Sequence, residues 1–279
     1  MTNLAPISRL TQGADGIWVP LSGEGDWSVS FPSDGHAECL QIEENSFWFR
    51  HRNRCLVQTL SRFPPNGTVF ELGAGNGFVA SALESVGYPC VALEPAVEGA
   101  RNARRRGVST VVSATLEAAA FRSDSVPAIG IFDVIEHIQD SHQFLREVVR
   151  TLMPGGRVYA TVPAFQWLWS EEDQTAGHFR RYTSRRLRQD FQNAGLSVDF
   201  VSYFFSALVL PVFLLRAVPR LFGWHAPAPL ERAKAQHAPK AGRLTGILAR
   251  ALDLELTWLT RGHGLPFGSS CVIVATKPS

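Results

Sequence analysis

Val69-Phe70-Glu71-Leu72-Gly73-Ala74-Gly75-Asn76-Gly77 reads as a buried strand that ends in an acid and runs into three alternating glycines ahead of a helix starting at Phe78. Glycines there let the backbone turn sharply and approach a ligand, at the carboxyl end of a strand where open α/β sheets bind their ligands. The spacing narrows the ligand. A dinucleotide fingerprint is GxGxxG with Gly or Ala third, whereas this turn is GxGxG with bulky Phe78 after Gly77, so a pyrophosphate cradle fits poorly.

Outward from that turn, residues 68–163 alternate short apolar runs with helix-length segments, the pattern of βαβ units around a parallel sheet. The predicted strands are 68–72, 89–93, 110–112, 128–134 and 157–162. Crossover helices are expected at 78–86, 97–106 and 141–152, the last stopped by Pro154-Gly155-Gly156. Five strands so connected make a doubly wound, Rossmann-like α/β sheet. A helix at 184–194 and strands at 196–202 and 270–276 follow. Residues 203–264 read as a helical lid insertion, in which Leu244, Ile247, Leu248, Ala251 and Leu252 give a helix over 243–259 one apolar face. Upstream, a helix is expected over 43–61. Residues 1–45, rich in Gly, Ser, Pro and Asp with scattered Trp18, Trp27 and Phe31, read as a loose cap of short strands and turns. The core is therefore 46–202 plus 265–279.

Twenty-one residues after Gly73, Glu94 closes the run Val91-Ala92-Leu93 and is followed by Pro95. An acid at that strand end can accept hydrogen bonds from both hydroxyls of a ribose. Glu71 suits a ligand ammonium, directly or through water, and the loop has no Lys or Arg for phosphates. A ribose and a positive charge without phosphate describe S-adenosylmethionine.

With these motifs the chain resembles the class I S-adenosylmethionine-dependent methyltransferases. Glu71-Leu72-Gly73-Ala74-Gly75-Asn76-Gly77 is similar to their first motif and Leu93-Glu94-Pro95 to the acidic end of their second strand. Phe132-Asp133-Val134-Ile135-Glu136-His137 is similar to their fourth-strand motif, and Leu152-Met153-Pro154-Gly155-Gly156-Arg157 to the turn before strand five. The resemblance covers about residues 68–163. It implies a seven-stranded sheet with an antiparallel last strand, S-adenosyl-L-methionine as cofactor, and adenine contacts at Ala114, Thr115 and Leu116. It also implies that Asp133 supports the cofactor's amino-acid end or the loop, and that the helix before strand one covers the cofactor. Arg50 and His51 are then candidates for the methionine carboxylate or the acceptor, while Arg52 and Arg54 read as a solvated cationic face.

The acceptor must be read from other residues, because methyl transfer requires alignment with the sulfonium methyl and needs a base only if the nucleophile arrives protonated. Glu136 and His137 leave the fourth strand where the methyl should lie, and a histidine is suited to taking a proton near neutrality. The alternative is that they only bond neighbouring loops. Leu168-Trp169-Ser170, Asp173, Gly177-His178 and Arg180-Arg181-Tyr182 resemble a signature of a bacterial subset of these enzymes, many without an assigned acceptor. His178 is a further catalytic candidate, and Trp169, Asp173, Arg180, Arg181 and Tyr182 are candidates for walling an acceptor pocket. An ion pair from Asp173 to Arg180 or Arg181 that pins a loop is the competing reading. The histidines and acids show no metal-ligand spacing, and no metal is expected.

Composition bounds the rest. Among 279 residues, 27 Lys+Arg against 25 Asp+Glu leave +2 without a long basic run, so nucleic-acid binding gets no support. Cys39, Cys55, Cys90 and Cys271 form no CxxC pair and read as separate buried thiols in a reducing compartment. The start, MTNLAPISRL, has no leader pattern, and the longest apolar stretch, 204–215, falls well short of the roughly 20 residues of a spanning helix. A cytoplasmic location is expected. The segment 204–222 suits internal packing, a homodimer surface, or peripheral membrane contact that brings a lipid-linked acceptor to the site. The function expected is methyl transfer to a small or medium acceptor. A non-catalytic S-adenosylmethionine-binding partner or sensor, and an NAD-dependent dehydrogenase, stay open as alternatives.

Overall fold

The computed structural model describes residues 4–7, 9–21, 35–218 and 243–279. Two short strands, β1 (Leu10–Gln12) and β2 (Trp18–Pro20), and two helices, α1 (Gly35–Glu43) and α2 (Phe47–Arg62), precede the glycine-bearing strand β3 (Val69–Leu72). Then come α3 (Phe78–Ser85), β4 (Cys90–Leu93), α4 (Val97–Arg105), β5 (Val111–Val112), β6 (Val126–Phe132), α5 (Ser141–Thr151) and β7 (Leu152–Pro163). The short α6 (Glu171–Thr175), α7 (Ser184–Asn193), β8 (Ser197–Phe204), the single turn α8 (Val209–Val212), the long α9 (Arg243–Thr260) and β9 (Ser270–Thr276) complete the order.

The strands lie in the order β1-β2-β5-β4-β3-β6-β7-β9-β8. β3 pairs in parallel with β4 on one side and β6 on the other, so the chain reverses its direction of winding at β3 and opens a crevice beyond the strand ends there. β9 inserts antiparallel between β7 and β8. The expected seven strands are those from β5 to β8 in this order. The sheet has nine because the segment before α1 adds a hairpin, with β2 meeting β5 through the pair Trp18 and Val112.

β3 and β4 are buried along their whole length, as strands covered by helices on both faces must be. Alternation sends Phe70, Val91 and Ile129 into one core layer and Val69, Cys90 and Ala128 into the other. By the same alternation Glu71 shares the face of Val69, toward α2 and α3.

Several boundaries depart from the sequence reading. The helix expected over 43–61 is two helices, with Glu43 ending α1 and Ser46 starting α2 as a cap whose hydroxyl accepts the N–H groups of Trp48 and Phe49 at 3.2 and 3.3 Å. The cap is not loose throughout, since Gly35–Glu43 is helical; Trp27 and Phe31 lie outside the described residues. α5 ends before Pro154, because Leu152 already pairs with Val126 and begins β7. Cys39 is half-buried where a buried thiol was expected, and all four cysteines are free thiols.

None of the described residues of the insertion lines the crevice. α9 packs on α2, where Cys55, Phe204, Phe205, Leu208, Leu252 and Leu259 form a third apolar cluster. Leu252 and Leu248 face this contact, whereas Ile247, expected on the same face, is 63% exposed. A buried acid fixes the joint: Glu255 accepts the N–H of Phe205 at 2.7 Å and of Ser206 at 2.6 Å. Among the described residues, no helix is long and apolar enough to cross a membrane. Residues 219–222 of the proposed surface segment, and the Pro/Ala-rich stretch after them, lie outside the described residues.

Candidate functional site

A cavity of about 490 Å³ opens beyond the ends of β3, β4 and β6, a size within the usual range for small-molecule sites. Its wall brings together Gly73, Gly75, Glu94, Pro95, Thr115, Asp133 and His137 from the residues singled out in the sequence, with Ala114 and Leu116 beside Thr115.

The glycines have different reasons to be there. Gly75 has φ +55°, and a Cβ on it would meet no protein atom within 4 Å, so its open side faces space that a ligand can fill. Gly77 also has positive φ, but a Cβ there would lie 2.8 Å from the Ala103 backbone. It serves the packing of α3 on α4 and lies off the described cavity wall.

Glu94 stands at the cavity with only 4% of its surface exposed. It accepts the Gly75 N–H at 2.7 Å through one oxygen and the Ala96 N–H at 2.9 Å through the other, so the same carboxylate shapes the glycine turn and faces the hollow. Burial pushes its pKa up to about 7, against the pull of those two N–H groups. Asp133, held at φ +56°, accepts the Thr161 hydroxyl at 3.1 Å and forms an ion pair with Arg52.

Glu71 does not reach the wall. It is buried behind it, with one oxygen lacking any hydrogen-bond partner, and burial drives its pKa up to about 8 although Arg52 opposes this. A direct contact with a ligand ammonium is therefore not what this arrangement provides.

Arg50 and His51 are not brought to the cavity. Both line a groove between α2 and α9, and the His51 imidazole lies 2.9 Å from Glu255. Arg52, read as solvated, is the arginine of α2 that turns inward: it is 9% exposed, pairs with Asp133 and sits over the rings of Trp48 and Phe49 at 5.2 and 5.4 Å. Arg54 does face solvent, pairing with Asp253 at 2.9 Å.

The segment after β7 forms a loop pinned by ion pairs. Asp173 is 1% exposed and takes both guanidinium contacts of Arg181 at 2.8 Å, the His178 ring at 2.8 Å and the Ser170 N–H at 2.8 Å. Burial alone would raise its pKa, but His178 and Arg181 hold it well below the usual carboxylate range. Arg180 donates to Ser141 Oγ at 2.9 Å and to the Gln139 carbonyl at 2.6 Å, clamping the loop to the start of α5. Tyr182 is buried in the core, and Trp169 is half-buried away from the cavity. Asp173, Arg180, Arg181, Tyr182 and Trp169 thus build the loop and do not wall the described cavity.

His137 lines the cavity, and burial together with neighbouring His178 lowers its pKa to about 4. The two rings meet edge to face at 4.6 Å. Glu136 is buried beside them, its pKa raised by burial and by Asp133.

The sequence reading missed α1. His36, Cys39 and Glu43 close one side of the cavity, fastened by Arg106 on Glu43 at 2.7 Å and by Asn76, whose amide donates to the His36 carbonyl at 2.9 Å and to Glu43 at 3.2 Å. Asp140, Gln143 and Phe144 at the head of α5 were likewise not singled out. Only the capping pattern of Asp140 ahead of Ser141 was available as a signal there.

Comparison with known proteins agrees with this geometry. The profile of a family described as "Methyltransferase domain" matches residues 44–200, more than half of the chain. A Mycolicibacterium smegmatis protein named "Probable S-adenosylmethionine-dependent methyltransferase" is 25% identical over 61% of this chain and 67% of its own length. A Mycobacterium tuberculosis protein of similar name is 28% identical over 46% of this chain and 47% of its own, so the chain matches about half the length of that relative. Among solved structures, the methyltransferase in a complex with the Haloferax volcanii Trm112 methyltransferase activator superposes with a TM-score of 0.59 at 20% identity, covering 90% of this chain and 100% of that one. At that identity the superposition speaks for the fold.

Proposed function

The chain belongs to the methyltransferase-domain family and is a class I S-adenosylmethionine-dependent methyltransferase, and from that premise we propose how its cavity carries the reaction. S-adenosylmethionine lies with its ribose hydroxyls on Glu94, its adenine against Ala114, Thr115 and Leu116, and its amino-acid end toward Gly73, Gly75 and Asp133. Its methyl is directed at His137. The acceptor is a small or medium molecule that enters beside the turn carrying Glu136 and His137.

The observation that carries this reading is the pairing of Gly75 and Glu94: a glycine whose open side faces empty space, hydrogen-bonded to a buried carboxylate on the same wall. The rest of the wall fits a nucleoside without phosphates, since the described residues lining it include no Lys or Arg. The bound cofactor supplies an electrophilic methyl on a sulfonium; the protein aligns the nucleophile and excludes water. His137, its proton affinity lowered by burial, is neutral at pH 7 and keeps one ring-nitrogen lone pair for the acceptor side of the cavity.

Exposed Leu210, Leu214 and Leu215 give the segment after β8 an apolar face. A second copy of the chain, or the membrane in which a lipid-linked acceptor is dissolved, is the cover we assign to it. The experiment that tests the functional reading is incubation with methyl-labelled S-adenosylmethionine and a lysate of the source cells. Label appearing in a discrete product supports it and names the acceptor; cofactor binding without any labelled product counts against an enzyme.

A further inference from the structure

We propose that Glu136, His137 and His178 form a binding site for a divalent first-row transition-metal ion at the acceptor side of the cavity. Glu136 and His137 lie in the single 3-10 turn Ile135–His137 that follows β6, and His178 lies in the turn after α6. The Phe179 N–H donates to the Glu136 carbonyl at 2.8 Å, which ties the two turns together. One ligand atom from each of the three residues falls within 4.8 Å of the others. An ion with ligands at about 2.0–2.2 Å spans opposed ligand atoms roughly 4 Å apart, so the cluster is close to closing on one.

Glu136 supplies the second, independent observation. It is 1% exposed and neither of its carboxylate oxygens has a hydrogen-bond partner. Asp173, its acidic neighbour in the loop, is fully engaged by Arg181, His178 and Ser170, and Asp133 is taken by Arg52 and Thr161. A cation between Glu136 and the imidazoles would satisfy both orphaned oxygens.

Both histidines are held as metal ligands usually are, by an acceptor on the far side of the ring. Asp173 accepts from His178 Nδ1 at 2.8 Å, which leaves the Nε2 lone pair for an ion, and the Ala176 carbonyl accepts from the His137 ring. Two imidazoles and one carboxylate select ions such as Zn²⁺, Mn²⁺ or Fe²⁺ over Mg²⁺ and Ca²⁺, which favour oxygen donors. The second group of this kind, His51, Cys55 and Glu255, differs in the decisive respect: both Glu255 oxygens already accept backbone N–H groups.

Because His137 also lines the cavity, the ion would meet the acceptor where the methyl arrives. That role rests on the methyltransferase reading and points to a hydroxyl acceptor. Its O–H proton passes to solvent as the oxygen binds the ion. An oxygen lone pair then forms the bond to the methyl carbon, and the C–S electrons return to sulfur, giving the neutral thioether S-adenosylhomocysteine.

The test loads full-length, chelator-stripped protein with Co²⁺, Zn²⁺, Mn²⁺ or Mg²⁺ and reads stoichiometry after dialysis, the visible Co²⁺ spectrum and thermal unfolding. The expected result is one equivalent of Zn²⁺ or Co²⁺ with a raised melting temperature, affinity about tenfold or more weaker in Glu136→Gln, His178→Ala and Asp173→Asn, and no change in His51→Ala. Absence of stoichiometric binding, binding unaltered by the first two substitutions, or binding lost in His51→Ala overturns the site. A folded Glu136→Gln that is more stable than the metal-free wild type without binding metal supports the orphaned carboxylate as the ion's anchor; equal stability and equal binding overturn it. S-adenosylhomocysteine titrated into the metal-free protein reads the cofactor assignment separately, so that failure of one does not disguise failure of the other.

Discussion

Glu94→Gln separates the two tasks of the carboxylate at the end of β4. The wild-type side chain offers one oxygen to Gly75 N–H and the other to Ala96 N–H, at 2.7 and 2.9 Å, and still has lone pairs toward the cavity. Glutamine keeps the size but has one oxygen, so its amide NH₂ must confront one of those two backbone donors. A buried donor left unsatisfied costs about 1–3 kcal/mol, and this appears as a lower unfolding midpoint. In a titration above pH 7, where Glu94 is ionised, the same exchange removes a charged acceptor for the ribose, and a hydrogen bond to a charged group contributes about 1.5–3 kcal/mol. At about 1.4 kcal/mol per tenfold, the affinity for S-adenosylhomocysteine falls roughly 10- to 150-fold. Calorimetric titration on protein shown by circular dichroism to be folded reads this directly. An affinity within about twofold of wild type would refute the ribose assignment, whatever the stability change.

Three other perturbations follow from the buried charges and the glycine turn. Burial raises Glu71 to about 8 and Glu94 to about 7, so the folded protein holds these protons more tightly than the unfolded chain, and stability is lost as pH rises from the ordinary carboxylate range toward 8. The melting temperature of ligand-free protein should therefore fall between pH 5 and 8, less steeply in Glu71→Gln; an equal slope in both would show that Glu71 is ionised throughout. Gly75→Ala should weaken cofactor binding at least tenfold with a stability loss of about 1 kcal/mol from the left-handed φ, whereas Gly77→Ala should chiefly destabilise the fold, because its Cβ meets the Ala103 backbone. Comparing melts with titrations checks this, and the reverse pattern would contradict the division of labour. Arg52→Met strands Asp133 and should lower both stability and cofactor affinity, by about 1–3 kcal/mol in stability, while Arg54→Met, which breaks an exposed pair, should change stability by less than about 1 kcal/mol in the same melts.

What the sequence disclosed follows the range over which each signal acts. The turn 73–77, the strand ends at Glu94 and Asp133, and the helices at 78–85, 97–105 and 141–151 are written in local periodicity and turn chemistry, and the reading located them within a residue or two. α1 escaped because its hold on the cavity comes from Arg106 and Asn76, 63 and 33 positions from Glu43, with no local pattern to announce it. Arg50, His51 and Arg52 are neighbours on a helix, and which one turns inward depends on the placement of α9: its Glu255 draws His51 to that side, leaving Arg52 for Asp133. In the loop after β7, the residue types suited a pocket and an ion-pair network equally well. The distance of 2.8 Å from Asp173 to Arg181 shows that the network forms. Strands β1 and β2 were expected only as unspecified short strands, since a single pair to β5 leaves no periodic trace.

A crystal structure with S-adenosylhomocysteine tests the central claim most directly. The account predicts the nucleoside in the hollow beyond β3 and β4, with both ribose hydroxyls within hydrogen-bond distance of Glu94, the backbone of Gly75 against the amino-acid portion, and sulfur directed toward His137. A nucleoside bound elsewhere, or a ribose that makes no contact with Glu94, would contradict it.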